Sequence, residues 1–448
     1  MSLLAQPLPL ACGATLPNRL CKSAMTEGLA DAHLLPTERH NRLYRRWSEG
    51  GAGLLITGNV MIDRRVLERP GNVSLDPVSR FRPGSEGFER LKAWAAAGTV
   101  AGNHLWMQIS HAGRQSPWYV AREPLAPSAV QLDLMGNYRR PRALQEPEIL
   151  DFIQRYAGVA RLARETGFTG VQIHSAHGYL LSSFLSPVTN QRTDAWGGSL
   201  QNRARFLIET LRATRKAVGA DFPVSIKLNS DDFRRGGFSF EECLQLIGWL
   251  NDETLDLIEI SGGTYEQPKL LGADGRAEHA VPLKASTAQR EAYFLEYARA
   301  IRQVAKMPIL MPGGFRSRSA MEAALASDDI DVIGLARPLC TQPDLPRGLL
   351  DAKVEHADAY ELRHATQNRA FVAKLVNLLG QMGWYYAHIE DLADDKPTDG
   401  VPRPTGRAAG SRTRRFRRLC ALYEKRIPTR LAHAPRLKSA PRGELHAD

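Results

Sequence analysis

Several signatures are missing from this chain, and each absence excludes something. Its five cysteines, Cys12, Cys21, Cys243, Cys340 and Cys420, include no Cys-x-x-Cys pair. Neither a zinc ribbon nor an iron–sulfur cluster is therefore suggested. The odd, scattered count speaks for reduced, small buried thiols rather than a disulfide framework. No apolar run approaches the roughly 18 residues of a membrane helix. The N-terminus, MSLLAQPLPLACGATLPNR, has no charged segment ahead of its apolar stretch. It reads poorly as a signal peptide, and the cytoplasm is the expected compartment. No Gly-x-Gly-x-x-Gly follows the first β-rich run, so a dinucleotide crevice of Rossmann type has no support.

Charge is also scarce where a basic protein would be expected to carry it. The formal net charge is +11, but residues 396–448 alone hold 14 Lys/Arg against 4 Asp/Glu. The rest of the chain is close to neutral and offers no general nucleic-acid surface. The basic tail could touch acidic lipids or nucleic acid. Its Pro-, Gly- and Arg-rich start, KPTDGVPRPTGRAAGSRTRR, marks a boundary near residue 395. A barrel domain is expected over 1–395 and a disordered or peripheral tail over 396–448. A membrane-surface helix within the tail is the sharper alternative.

What the chain does have is alternation. Short β-rich runs recur at 19–25, 53–60, 104–110, 170–174, 223–230, 257–261, 309–312 and 332–336. Helix-like runs lie between them, including 149–166, 200–218, 240–250 and 287–304. Eight β/α repeats with apolar strands predict an α/β fold, a closed (β/α)8 TIM barrel. The insertion 116–147 after the third strand is expected to cap or line a site. The aromatic cluster Trp384-Tyr385-Tyr386 reads as core or interface packing.

The densest chemistry follows the fourth strand. His174 ends it, and His177 and Tyr179 follow within six residues. Catalytic groups of barrels sit at this face. Two imidazoles can hold one carbonyl oxygen, and a phenol beside them can deliver a proton. The stretch from Val171 to Phe206, with its H-x-x-H-G-Y and N-Q-R-T-D-x-x-G-G-S-x-x-N-R patterns, closely resembles the Old Yellow Enzyme family of flavin-dependent ene reductases. The resemblance spans about residues 5–395 and is to single-barrel NADH:flavin oxidoreductases. It implies that His174, His177 and Tyr179 bind substrate and that Tyr179 is the proton donor. Arg192, Asp194, Asn202 and Arg203 read as the scaffold of the long loop after the fourth strand.

No side chain can donate a hydride, so a cofactor is required. The seventh and eighth strands run into Gly313-Gly314 and into Gly334 through Arg337. Glycines admit a phosphate close to backbone N–H groups, and Arg337 can pair with its charge. One phosphate site at these loops suits FMN. The resemblance implies further flavin contacts. Ser23, Ala24, Met25 and Thr26 would lie against the ring, with Thr26 tuning its potential. Gly58 would leave room for it, and Gln108 would bind its pyrimidine edge. Lys227 stands where many members have Arg; it keeps a cation near the reduced flavin without the planar two-pronged contact.

The expected activity is FMN-dependent reduction of activated C=C bonds, in enones or nitroalkenes, by NADH or NADPH. Two other readings stay open. One is an FMN-binding NADH oxidoreductase with a different acceptor. The other is a non-redox phosphate-binding barrel, an aldolase or isomerase, using Lys227 as a Schiff-base lysine. A binding module acting through its tail is a third class. The physiological alkene, the choice of nucleotide and any homo-oligomer are not legible.

Overall fold

The computed structural model describes residues 2–134, 136–264, 295–358, 383–396 and 398. Eight parallel strands form the barrel: β1 (Leu20–Lys22), β2 (Leu54–Ile56), β3 (His104–Ser110), β4 (Gly170–Ser175), β5 (Val224–Asn229), β6 (Leu257–Ser261), β7 (Ile309–Pro312) and β8 (Val332–Leu335). Each pairs with the next, β8 pairs with β1, and the β2–β3 pairing leaves no gap. The expected TIM barrel is therefore present.

Alternation along each strand separates two cores. Side chains such as Leu105, Met107, Ile173, Ile226, Ile258 and Ile333 face outward into the cluster shared with the helices. The inner cluster holds Leu54, Ile56, Trp106, Leu257, Leu310 and Val332. Leu8, Leu10 and Leu16, from an N-terminal hairpin, join it. The hairpin seals the N-terminal end, where Cys12 N–H donates to Asp256 Oδ1 at 2.9 Å. Gly170 makes room for the Trp106 indole: an added Cβ would lie 2.4 Å from that ring. The barrel is thus solid below and must place any ligand at its C-terminal mouth.

The outer layer contains α1 (Glu38–Glu49), α2 (Glu86–Ala97), α3 (Glu146–Glu165), α4 (Leu200–Val218), α5 (Phe240–Leu250), α6 (Leu295–Arg302), α7 (Arg318–Ala326) and α8 (Leu345–Leu350). Local chemistry sets their ends. Ser239 and Glu242 form a capping box on α5, and Gly219 ends α4 at φ 80°. The expected helices at 200–218 and 240–250 match α4 and α5 to the residue. The expected helix at 287–304 appears as α6, which ends at Arg302, two residues early; residues 287–294 lie outside the described residues.

Four expected strands prove shorter, 223–230 and 332–336 by only one or two terminal residues and two others by more. The run 19–25 pairs only over β1, and 53–60 only over β2, with Val60–Met61 pairing separately on β3. Ser23–Thr26 and Thr57–Gly58 leave the ladder, at the barrel mouth. The insertion 116–147 packs on the loop after β4: Arg192 donates to Pro127 O at 3.1 Å and Gln191 N–H to Ser128 Oγ at 2.9 Å. Arg192 also pairs with Asp194, and Arg203 with Glu242, so this loop is the expected scaffold. Tyr385 is buried in the outer core, and Tyr386 stacks under the Arg69 guanidinium at 4.3 Å. No described helix is long and apolar enough to cross a membrane. Apart from Lys396 and Thr398, the tail lies outside the described residues, as does Cys420.

Candidate active site

β4 places His174 at the inner face of the barrel mouth. Its Nδ1 accepts from the Ala176 N–H at 3.2 Å. In a neutral ring the proton then sits on Nε2. The chain turns sharply after Ala176. His177 has φ 62° and Gly178 φ 82°. For a histidine the left-handed conformation costs roughly 1–2 kcal/mol. It is held here by its N–H, which donates to Asn229 Oδ1 at 3.0 Å, and by a bridge to Thr264. Gly178 has no such freedom to lose: an added Cβ would meet Gln115 Oε1 at 2.9 Å.

This turn brings the three candidate side chains together. The His174 and His177 rings lie 5.3 Å apart by centroid, and His174 and Tyr179 lie 4.6 Å apart, both edge-on. Burial pushes the pKa of both imidazoles well below the usual range, and the Lys227 cation adds to it. Both rings are therefore neutral at physiological pH. His177 Nε2 lies 2.6 Å from Ser261 Oγ at the end of β6.

Below the two histidines the inner face is polar. Lys227 on β5 lies in register with His174 on one side and Glu259 on the other. It is 6% exposed, so a solvent-facing role is excluded. Its Nζ lies 2.9 Å from Glu259 Oε1. Gln108, on β3, is in register with Gln172 on β4 and donates from Nε2 to Gln172 Oε1 at 2.6 Å. Gln172 Nε2 donates in turn to Glu259 Oε2 at 2.9 Å.

The segments after β1 and β2 edge the same mouth. Ser23 N–H is held by Leu335 O at 2.8 Å, and Ala24 packs on the inner cluster. Met25 sulfur lies 3.5 Å from Cys340 Sγ. Thr26 donates its hydroxyl proton to Glu68 Oε2 at 2.7 Å, which also accepts from Asn59 at 2.7 Å. Gly58 has a local reason to be glycine: a Cβ would lie 2.2 Å from Glu27 Oε2 and 2.5 Å from Met25 O. Its smallness is first a demand of these neighbours, not of a ligand.

At the opposite edge, Pro312 of β7 is in register with Gly334 of β8. Gly313 and Gly314 follow one strand, and Arg337, exposed, opens the turn after the other. A Cβ on Gly334 would lie 2.5 Å from Ser23 Oγ and 3.0 Å from Pro312 Cα. β8 therefore lies close against both neighbouring segments.

Gln172, Asn229, Glu259, Ser261 and Glu68 were not singled out in the sequence. The first four had a signal. Each is a polar residue at an alternate position of a mostly apolar strand, Gln172 in phase with His174 on β4 and Asn229 with Lys227 on β5. Glu68 had none, since it comes from a loop.

The model of the NADH:flavin oxidoreductase / NADH oxidase family matches residues 4–353. An NADH-dependent flavin oxidoreductase from Talaromyces variabilis is 35% identical over 414 residues, 87% of this chain and 98% of that protein. One from Neonectria sp. is 38% identical over 358 residues, 76% of this chain but 46% of that protein, so the chain spans about half of its length. Among solved structures, the old yellow enzyme homologue from Zymomonas mobilis is similar with a TM-score of 0.64 at 26% identity, over 82% of this chain and 97% of that one. With this match along most of the barrel, the chain belongs to the NADH:flavin oxidoreductase / NADH oxidase family, that of Old Yellow Enzyme, and is an FMN-dependent NAD(P)H oxidoreductase.

Proposed function

We propose that this chain reduces activated C=C bonds, those conjugated to a carbonyl or nitro group, at the mouth of its barrel. The observation that carries this reading is the convergence of two neutral imidazoles and a phenol, with His174 and Tyr179 ring centroids 4.6 Å apart.

The residues present fit FMN. The Ser23 hydroxyl is buried without a hydrogen-bond partner, and the Gly334 backbone faces it so closely that no Cβ could stand between them. Ser23, Ala24, Met25, Thr26, Gly58, Gln108 and Lys227 would hold the ring. Gly313, Gly314, Gly334 and Arg337 would hold the phosphate. Bound there, FMN supplies hydride taken from NADH or NADPH.

The side chains do the rest. His174, protonated on Nε2, donates one hydrogen bond to the activating oxygen. Ser261 decides the other. When its O–H donates to His177 Nε2, the ring proton sits on Nδ1, and Nδ1 is the donor toward substrate. Two fixed donors stabilise the negative charge that develops on this oxygen as the β-carbon is reduced. Neutral rings perform this without changing protonation state. Tyr179 then gives its phenolic proton to the α-carbon. Nucleotide and alkene share one mouth, so ping-pong kinetics are expected.

Replacing Tyr179 with Phe tests the assignment. Positioned general acids typically contribute about 10²–10⁴-fold. Anaerobic stopped-flow traces should show the alkene half-reaction slowed by that order and flavin reduction by NADH little changed. Equal slowing of both would remove Tyr179 as the proton donor. A second reading, transfer to another acceptor such as dioxygen, is favoured by the inclusion of NADH oxidases in the family's description. Family membership removes the aldolase or isomerase reading, and Glu259 engages the lysine that reading required.

A further inference from the structure

Among the described residues, Glu259 is the one carboxylate at an inward-facing strand position of the barrel, and its side chain is fully buried. Its Oε1 faces Lys227 Nζ at 2.9 Å, and its Oε2 accepts from Gln172 at 2.9 Å. Gln172 connects it to Gln108. The four side chains thus form an unbroken polar chain across β3, β4, β6 and β5. Its two ends are the residues that would hold the flavin's pyrimidine edge.

The chain has a direction. An ionised carboxylate only accepts hydrogen bonds, so Gln172 must turn its amide nitrogen toward Glu259. Gln172 then offers Oε1 to Gln108, which must answer with Nε2. The Gln108 amide oxygen is left as the acceptor for a ring N–H. Charge follows the same path. A buried cation beside a reduced flavin stabilises negative charge at its N1 and C2 carbonyl. A buried carboxylate 2.9 Å from that cation offsets it.

We propose that Glu259 is a positioning and charge-setting residue for the flavin: it fixes the Gln108 amide through Gln172, offsets Lys227, and so holds the reduction potential of the bound flavin down. This rests on the reading that Gln108 and Lys227 contact FMN.

Three variants of the full chain, loaded with FMN, test it: Glu259→Gln, the double variant Lys227→Met/Glu259→Gln, and Gln108→Ala. Oxidised FMN binding is measured by titrating apo-protein, and the midpoint potential by equilibration with a reference dye. Glu259→Gln leaves Lys227 uncompensated. It should raise the potential, with reduced FMN favoured over oxidised FMN by about tenfold or more relative to the parent. Should this variant fail to fold, the double variant still decides, since it leaves no charge buried alone. If the carboxylate cancels the cation, its potential stays near that of the parent. If the cation acts alone, its potential falls, and the proposal is overturned. An unchanged potential in Glu259→Gln overturns it as well. Undisturbed FMN binding in Gln108→Ala would instead refute the placement of the flavin, which separates the two failures.

Discussion

Asn229 is where the geometry of the site can be attacked without touching a group that meets substrate. It is 1% exposed and makes three hydrogen bonds. Its Oδ1 accepts from the His177 N–H at 3.0 Å, and its Nδ2 donates to Asp232 Oδ1 at 2.9 Å and Gly263 O at 3.1 Å. Neutral buried bonds contribute about 1 kcal/mol each and one to a carboxylate about 1.5–3. Asn229→Ala should therefore cost about 3–5 kcal/mol of stability. A second cost is specific. His177, at φ 62°, loses the bond that offsets roughly 1–2 kcal/mol of left-handed strain. Its ring then samples positions from which it cannot donate, and kcat/KM for an enone should fall by about tenfold or more. Urea unfolding measures the first effect and anaerobic stopped flow the second. A variant that loses stability but keeps full FMN content and an unchanged kcat/KM would refute the claim that Asn229 positions His177.

Two further outcomes follow from burial. Burial pushes His40 down to about 3 and holds His174 and His177 well below the usual range. These rings take up protons on unfolding once the pH falls below about 6.5, so their contribution is complete above that pH and lost beneath it. Each adds up to about 1.4 kcal/mol of destabilisation per pH unit, and the urea midpoint should drop steeply between pH 6.5 and 5. A flat midpoint there would contradict the burial of neutral imidazoles. Gly334→Ala would set a Cβ 2.5 Å from Ser23 Oγ and 3.0 Å from Pro312 Cα. Overpacking of that kind costs about 1–3 kcal/mol. FMN affinity should fall with it, and an unchanged affinity would place the flavin elsewhere.

The barrel was legible because β/α alternation is written in local periodicity. β3, β6 and β7 fall on their expected bounds, and α4 and α5 on theirs. The ends of β1 and β2 were not legible, since Ser23–Met25 and Thr57–Gly58 keep β-like composition after leaving the ladder. The site divides in the same way. His174, His177 and Tyr179 share one turn, and their meeting follows from local chain geometry. The groups that hold them come from far along the chain. Asn229 is 52 residues from His177, and Glu259 is 87 from Gln172. Only the closing of the barrel joins such pairs, and one sequence does not contain it. Glycine was also ambiguous: at Gly58 the pressure comes from Glu27 and Met25, while at Gly334 it comes from Ser23 and Pro312.

Flavin and alkene are expected to react at this mouth in two separable steps. The direct measurement is a visible spectrum of the purified protein loaded with FMN, followed anaerobically through addition of NADH or NADPH and then of an enone. The flavin spectrum should bleach with the nucleotide and return with the enone. Bleaching that the enone does not reverse would contradict the proposed alkene chemistry and leave a flavin reductase with another acceptor.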